Sequence, residues 1–455
     1  MATPAGSDDE FFDAFENQEE SKNATTIENS QIIESSPISD SESKMFYSEP
    51  QRSQRAFTCT SQFSTDNSIS TKKDRFMLCE WSSQNLTKKK NKDTFEFAGL
   101  EEVQRIQVTS NDLRTWVVKW SPDGRFLAVA GDSQEVKLYE VVRALGVMFR
   151  EEPYLVCRGH SGPVVDFSWS KSSTYFLTAG TDNLVLLWSI DSSSPVLEFK
   201  HPALVSCVCF HPRNANLFMT GGFDRIVRIW SIPQYKVECY YQTPDFITAG
   251  SFNLSGELVL LGLSRGQCVI YEVNPHQMKL TFITQLECKN RSGWKSKGRK
   301  ITGIDFMDDH LFLVTTNDSR MRLYSIQDFS IKYKYKGNVN ENNPIRGSFS
   351  HNKSHVICGS ENGSVYIWNT YSQFAPKVNP RFTRKKQHKN NSYEYFPVTT
   401  LKASTIANFA PEKLLKEVQA RYLDSGSDII IGHILTVAAE GQLLVFFNQY
   451  RNVKI

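Results

Sequence analysis

The sequence predicts an all-β fold, a seven-bladed β-propeller preceded by a disordered acidic N-terminal tail. Seven segments place alternating apolar residues before an aromatic residue and a turn, and the first hundred residues lack such segments. The seven aromatic residues are Tyr139, Trp188, Trp230, Tyr271, Tyr324, Trp368 and Phe446. The first five intervals between them are 49, 42, 41, 53 and 44 residues, and the last is 78. This period is typical of propeller blades, which must stack around a ring because no blade buries its own faces.

Each blade is expected to contain several short strands joined by tight turns. In the first blade Pro-Asp-Gly at 122–124 favours a turn between two alternating strands. The segment VQRIQVTS at 103–110 also alternates, and we expect it to close the ring by joining the last blade. The seventh blade is interrupted by an insert at 411–428, in which a short helix is predicted over 413–423.

Charge divides the chain into a tail at 1–100 and a propeller at 101–450. Residues 1–45 hold eleven acidic and two basic side chains, a net charge of −9, with almost no apolar runs. Such a segment cannot bury enough apolar surface to offset chain entropy, so we expect it to be disordered. A Ser/Lys-rich linker follows at 46–100. The chain after residue 45 holds 50 basic and 38 acidic residues, so a basic propeller follows an acidic tail.

The nine cysteines show no spacing that would hold zinc. Four lie in predicted strands, where thiols behave as small apolar residues, which favours a reducing intracellular compartment. These four are Cys207, Cys209, Cys268 and Cys358. No apolar run reaches the roughly 18 residues of a membrane span, and the first residues do not resemble a signal peptide. No metal site, cofactor or enzyme activity is predicted, because no phosphate-binding loop, nucleophile elbow or zinc-protease motif is present.

Polar residues recur at fixed distances from the closing aromatic residues. An aspartate six positions before the aromatic residue can accept backbone N–H groups in the turn. The predicted structural network residues are His160, Thr178, Asp182, Trp188, Asp224, Trp230, Asp318 and Trp368. The four in the second blade are similar in type to a catalytic Ser/His/Asp set. These types at these spacings are, however, typical of WD40 repeats, where they lock a blade, and we interpret them so.

A short aromatic motif lies within the acidic tail. Residues 10–16 read Glu-Phe-Phe-Asp-Ala-Phe-Glu, in which adjacent phenylalanines have nothing local to pack on. Apolar anchors flanked by carboxylates are typical of a segment that binds a basic partner. The string resembles the FFAT motif (two phenylalanines in an acidic tract), E-F-F-D-A-x-E, at every specified position. The matching residues are Glu10, Phe11, Phe12, Asp13, Ala14 and Glu16.

The FFAT resemblance implies a VAP-type receptor of the endoplasmic reticulum (ER) as a partner. Such motifs dock on a basic face of the receptor's cytosolic immunoglobulin-like domain. The resemblance implies that Phe11 enters an apolar pocket, that Asp13 pairs with a lysine and that Ala14 fits a small pocket. The structural alternative is a local helix or a transient hydrophobic staple.

Strings in the predicted propeller carry a second resemblance. GRKITGIDF, TTNDSRMRLYSI and KYKGNVNENN, followed by SFSHNKSHVICGSENGSVYIWNTYSQF, are similar to the family of WD repeat-containing protein 44. The likeness covers most of 105–450, and family members also carry an acidic, Phe-containing head. That family binds the active Rab GTPase of recycling endosomes and acts at contacts between ER and tubular endosomes. The resemblance implies a tether or Rab effector and assigns no Rab-contacting residue here.

Two basic stretches interrupt the predicted blades. The basic inter-blade loop 371–396, expected between blades six and seven, contains a candidate patch of Arg381, Arg384, Lys385 and Lys386. A second cluster, which precedes blade five, consists of Arg291, Lys295, Lys297, Arg299 and Lys300. One interpretation is binding to an anionic membrane surface, where each cation contributes about 1 kcal/mol. The other is a solvated loop. Nucleic acid is disfavoured because no RNA-binding signature or stacking platform is visible.

Together these features predict a non-enzymatic adaptor in membrane traffic, cytoplasmic and peripheral at ER and endosomal membranes. The tail would bind the VAP-type receptor, and the blades an endosomal partner such as an active Rab GTPase. The alternative is a nuclear or ribosome-associated WD40 scaffold whose basic loops contact RNA or acidic partners. Nucleolar localisation that survives loss of Phe11 would favour that alternative.

Overall fold

The computed structural model describes residues 97, 99–110, 113–144, 147–274, 279–289, 298–371, 388–390, 393–399 and 405–451. The FFAT-like residues 10–16 and the basic residues Arg381, Arg384, Lys385 and Lys386 lie outside these ranges. The described residues form seven sheets that surround a central channel, so the predicted all-β, seven-bladed propeller is confirmed.

The first three blades follow one plan, in which the first three strands pair antiparallel from the channel outwards and any outer strand adds to the third. Strand β1 (Leu100–Gln107) precedes them and belongs to the last blade. Blade one contains β2 (Thr115–Trp120), β3 (Phe126–Gly131), β4 (Val136–Ala144), β5 (Val147–Phe149) and β6 (Leu155–Cys157). Blade two contains β7 (Val164–Trp169), β8 (Tyr175–Gly180), β9 (Leu184–Ser189) and β10 (Leu197–Lys200). Blade three contains β11 (Val205–Phe210), β12 (Leu217–Gly222), β13 (Ile226–Ser231) and β14 (Lys236–Gln242).

The remaining four blades keep the plan with local additions. Blade four contains β15 (Ile247–Phe252), β16 (Leu258–Leu263), β17 (Gln267–Asn274) and β18 (Lys279–Glu287). Blade five contains β19 (Ile301–Phe306), β20 (Leu311–Thr316), β21 (Arg320–Ser325) and β22 (Ile331–Lys336). Blade six contains β23 (Gly347–Phe349), β24 (His355–Cys358), β25 (Ser364–Asn369) and β27 (Glu394–Pro397). Strand β26 (His388–Asn390) precedes β27 in the chain and belongs to the sheet of blade five. Blade seven contains β28 (Ile406–Phe409), helix α1 (Glu412–Asp424), β29 (Ile429–Ala439) and β30 (Gln442–Arg451).

The seven closing aromatic residues mark the third strand of every blade, as the sequence predicts. All seven are buried, because the neighbouring blades cover both faces of that strand. The second strand is also enclosed, and every residue of β3 is buried. Outer strands differ: in β14 the first residue and the last three are exposed, and the three between them are half-buried. Apolar contact between adjacent blades therefore holds the ring together.

The ring is closed by the first strand, as the alternation at 103–110 predicts. Strand β1 pairs antiparallel with β30, from Leu100 opposite Asn448 to Gln107 opposite Gln442. Just before it, the buried Phe97 donates its backbone N–H to a carboxylate oxygen of Glu394, at 2.9 Å. The Phe97 ring lies 5.2 Å from the ring of His355 in blade six. First and last strands thus share one blade, which leaves no open sheet edge at the ring junction.

The described end of the basic stretch 371–396 is a strand rather than the expected loop. We expected it between blades six and seven, but its end forms β27, the outer strand of blade six, paired with β25. Before that, β26 pairs in parallel with β22 of blade five. The segment Glu394–Pro397 is only four residues long, too short for its alternation to identify a strand in the sequence. The described end of the stretch therefore belongs to blade six, and β26 belongs to the sheet of blade five.

The insert in blade seven forms helix α1, which covers the junction of blades seven and one. Its buried residues Leu414 and Val418 join an apolar cluster with blade-one residues such as Leu127. The guanidinium of Arg421 donates to the carbonyl of Val142 at 3.2 Å. The predicted helix at 413–423 is present, with one more residue at each end.

Candidate functional site: polar blade networks and the channel

The four network residues of blade two are hydrogen-bonded in one chain. His160 Nδ1 lies 2.9 Å from an Asp182 carboxylate oxygen, and His160 Nε2 lies 2.7 Å from Thr178 Oγ1. The indole of Trp188 donates to the same hydroxyl at 2.8 Å. Asp182 also accepts the backbone N–H groups of Ser161 and Leu184. The chain ties the loop before the first strand to the turn between strands two and three.

The chemistry of this network is suited to holding the blade in place. Burial alone would raise the pKa of Asp182, but hydrogen bonds from His160 and the backbone hold that pKa below its usual value. The carboxylate therefore stays ionised and keeps its partners at neutral pH. Thr178 and the Trp188 side chain are fully buried, so no substrate can reach the hydroxyl. The geometry can orient a blade, and it offers no nucleophile.

In blade three the histidine contacts only the threonine, and an arginine pairs with the aspartate. His201 Nε2 lies 3.0 Å from Thr220 Oγ1, which also accepts from the indole of Trp230 at 2.9 Å. Asp224 does not bond to the histidine in this blade; it pairs with the Arg228 guanidinium at 2.5 Å and accepts the Ile226 N–H. Burial, and next the charge of Arg228, lower the pKa of His201 to about 4. This histidine is neutral at physiological pH.

In blade five an arginine replaces the histidine, and the sequence reasoning missed it. The side chain of Arg322 is fully buried and donates to Asp318 at 2.5 Å and to Thr316 Oγ1 at 2.6 Å. Burial would lower the pKa of Arg322, but the ion pair with Asp318 raises it, so the side chain stays charged. A signal was available, since an aspartate precedes an arginine by four residues here and in blade three.

Trp368 in blade six has a different partner from the other two network tryptophans. Its indole donates to the carbonyl of Lys336 at 3.0 Å, in the outer strand of blade five. Cys358 stands ten residues before Trp368, where blades two and three have a threonine. Asn362 replaces the aspartate six positions before it and donates to the Tyr366 hydroxyl at 2.8 Å. The tryptophan is buried, but it joins neighbouring blades rather than a histidine network.

The innermost strands enclose a channel with a cavity volume of about 360 Å³. Arg346 at the start of blade six reaches across it and donates to a carboxylate oxygen of Asp166 in blade two, at 2.5 Å. The other oxygen of Asp166 accepts the Val208 N–H at 3.0 Å. Neighbouring inner strands are linked in the same way, since Asp305 accepts the Phe349 N–H at 3.0 Å. These polar groups brace the ring, and sequence spacing gave no hint of the contact between blades two and six.

The thiols of the described ring are not reactive groups. All seven described cysteines are free, and the four expected in strands lie there. Burial raises the pKa of the Cys157 and Cys358 thiols to about 12, so both are protonated at neutral pH. Among the residues that the structure describes, no three His, Cys, Asp or Glu side chains are grouped to hold a metal ion. Helix α1, within the same described set, is too short and too polar to cross a bilayer.

A family comparison assigns the repeats. The WD40 model (WD domain, G-beta repeat) matches residues 106–140, 151–189, 193–231 and 332–369. The matches that start at 151, 193 and 332 run from the outer strand of one blade to the third strand of the next. The match that starts at 106 does the same from β1, the outer strand of blade seven. WD40 propellers are typically non-enzymatic scaffolds.

Three relatives show where the similarity lies. WD repeat-containing protein 44 of Xenopus laevis is 35% identical over 250 residues, which are 54% of this chain and 26% of that protein. An uncharacterised WD repeat-containing protein of Schizosaccharomyces pombe is 27% identical over 281 residues, 56% of this chain and 47% of its own. The 2-deoxy-glucose resistant protein 2 of Saccharomyces cerevisiae is 27% identical over 290 residues, which are 58% of this chain and 31% of that protein. The chain therefore spans a quarter to a half of these relatives' length. The chain thus contains four matches to the WD40 repeat within its seven-bladed β-propeller, and over about half of its length it is similar to WD repeat-containing protein 44.

Proposed function

We propose that this protein is a non-enzymatic adaptor in membrane traffic that binds an ER receptor of the VAP type through residues 10–16. The observation that carries the proposal is the match of Glu10, Phe11, Phe12, Asp13, Ala14 and Glu16 to every specified position of the FFAT motif. The acidic residues would steer the segment to a basic receptor face, and the phenylalanines would supply the apolar contact.

In this proposal the propeller binds the second partner. The polar networks of the ring are buried and hydrogen-bonded internally, so its exposed surfaces are left for protein contacts. Similarity to WD repeat-containing protein 44 supports an endosomal partner, an active Rab GTPase among the candidates. The adaptor would then be cytoplasmic and peripheral at ER and endosomal membranes. No cofactor and no nucleic acid enter this function.

Binding to a purified VAP domain tests the tail. The full chain is titrated against the immobilised receptor domain, and Phe11→Ala or Asp13→Ala is expected to abolish measurable binding. Phe15 provides a matched control because it occupies the unspecified position of the motif, so Phe15→Ala should keep the affinity. All three variants should leave the ring unchanged, which a common melting temperature would verify. Equal affinity of the Phe11→Ala variant and the unaltered chain would sink the proposal.

Imaging separates the adaptor from the scaffold alternative. Phe11→Ala should remove the protein from ER contacts while endosomal recruitment by the ring persists. If the protein instead gathers in nucleoli with or without Phe11, the RNA-linked scaffold replaces the adaptor.

A further inference from the structure

One end of the ring carries an exposed basic surface at blades three and four. We call it the arginine surface and define it by Phe223, Arg225, Phe246, Arg265 and Arg299. It is continuous: the Thr243 N–H donates to the Arg225 carbonyl at 2.7 Å, and the Arg265 N–H donates to Asp245 at 3.1 Å. Gly298, beside Arg299, packs so closely on Arg265 that a Cβ there would meet its carbonyl oxygen.

The positive charge of this surface is not neutralised locally. Arg225 and Arg299 are exposed and make no ion pair within the described part of the chain. Arg265 is 82% exposed and only 3.8 Å from Asp245, whose carboxylate is nearly buried and already accepts from Ser264.

The second nearby carboxylate is also engaged. Asp224 is paired with Arg228 at 2.5 Å, and both side chains are largely buried. Blade one differs at the same end of the ring, because its exposed Arg158 is paired with Glu135 at 2.8 Å. Three guanidinium groups of the arginine surface therefore face solvent without an equal number of available carboxylates.

The arginine surface also contains a pair of stacked aromatic side chains. The rings of Phe223 and Phe246 are stacked, with centroids 5.2 Å apart and planes inclined by 27°. Both side chains are only half-buried, so part of each ring remains accessible. Apolar area beside exposed guanidinium groups is the composition that interface centres favour.

We propose that the arginine surface binds an acidic peptide segment of a partner protein, with an apolar side chain seated on Phe223 and Phe246. Its carboxylates would pair with Arg225, Arg265 and Arg299, whose planar groups suit carboxylates. Charge complementarity favours this occupant over a neutral one. The proposal concerns the ring alone and is independent of the tail motif, so either can fail without the other.

The test measures binding of a fluorescent peptide of alternating glutamate and phenylalanine to the full chain by anisotropy. Arg225→Glu combined with Arg265→Glu should weaken binding by at least roughly tenfold, equivalent to about 1.4 kcal/mol. Arg213→Glu is the matched control, since this arginine is exposed at the opposite end of blade three. It should leave the affinity unchanged.

Two further probes complete the test. A peptide with serine in place of phenylalanine should bind more weakly. Added salt should weaken the binding of both peptides. Equal peptide binding by the double variant and the unaltered chain would overturn the proposal. Loss of phosphatidylserine-vesicle binding in the double variant, without peptide binding by the unaltered chain, would overturn it in favour of a membrane surface.

Discussion

Blades two and five stabilise the same turn with different chemistry. Blade two uses a histidine from the preceding loop, which joins Asp182 to Thr178 and the indole of Trp188. Blade five uses Arg322 from its own third strand, which reaches Asp318 and Thr316 directly. The carboxylate six positions before the aromatic residue is common to both. In these two blades the carboxylate is held by a buried donor, and the donor differs in kind.

The difference has an energetic cost. A fully buried guanidinium is desolvated, and the loss of one member of such a pair leaves an uncompensated charge. In blade two the donors to the hydroxyl and carboxylate come from several groups, so no single polar contact dominates. Blade three combines both arrangements, with His201 on Thr220 and Arg228 on Asp224.

The largest effect is expected from truncation of the blade-two aromatic residue. Trp188→Ala should lower the free energy of unfolding by about 5 kcal/mol, because a fully buried indole leaves a cavity. Urea denaturation measures this. Tyr240→Ala is the control: the ring is 70% exposed, and the midpoint should hardly move. If the two variants unfold alike, blade two does not depend on its indole.

The next largest effect should come from blade five. Arg322→Ala should cost about 3 kcal/mol, because Asp318 loses its buried counter-ion. Lys332 of the same blade forms an exposed pair with Asp328, so Lys332→Ala should cost less than about 1 kcal/mol. Similar losses in both variants, measured by denaturation, would mean that the buried pair has no special weight.

Blade three predicts a pH dependence. The folded pKa of His201 is about 4, below the roughly 6.5 of an unfolded histidine, so protonation favours unfolding. The stabilisation that the neutral His201 provides is complete above pH 6.5 and is lost as the pH falls towards 4, by about 3 kcal/mol. The free energy of unfolding, measured by denaturation at each pH, should depend less on pH in the His201→Gln variant. Parallel pH profiles for the two proteins would contradict a neutral buried histidine.

The smallest effect compares the two threonines. Thr178→Val should cost about 1.5 kcal/mol, because His160 and Trp188 both lose their shared partner. Thr316→Val should cost about 0.5 kcal/mol, since Arg322 and Asp318 still bind each other. A larger loss at Thr316 than at Thr178 would reverse the proposed difference between the blades.

The parts of the ring that could be predicted are those where burial dictates residue type. Third strands are enclosed on both faces, so their apolar alternation and closing aromatic residues are strong signals. Strand β1 was recognisable from its alternation just ahead of blade one, although only Leu100 and Ile106 in it are buried. Outer strands such as β27 are short and partly exposed, so packing selects few of their residues.

The blade locks were only partly predictable. His160 follows the common WD40 pattern, whereas Arg322 occupies a strand position where an arginine is normally exposed. The repeated Asp-to-Arg spacing at Asp224 and Asp318 identifies it only once burial is known. The contact between Arg346 and Asp166 joins residues 180 positions apart, and no local pattern encodes such a distance.

Strand β1 also determines how the ring would respond to tension. Force applied at Phe97 acts on this residue before it reaches β1. The Phe97 side chain must first leave its site between blades six and seven, and β1 can then peel from β30, starting at Leu100. Release of the Phe97 side chain is thus the first step under tension, and separation of β1 from β30 would open the ring.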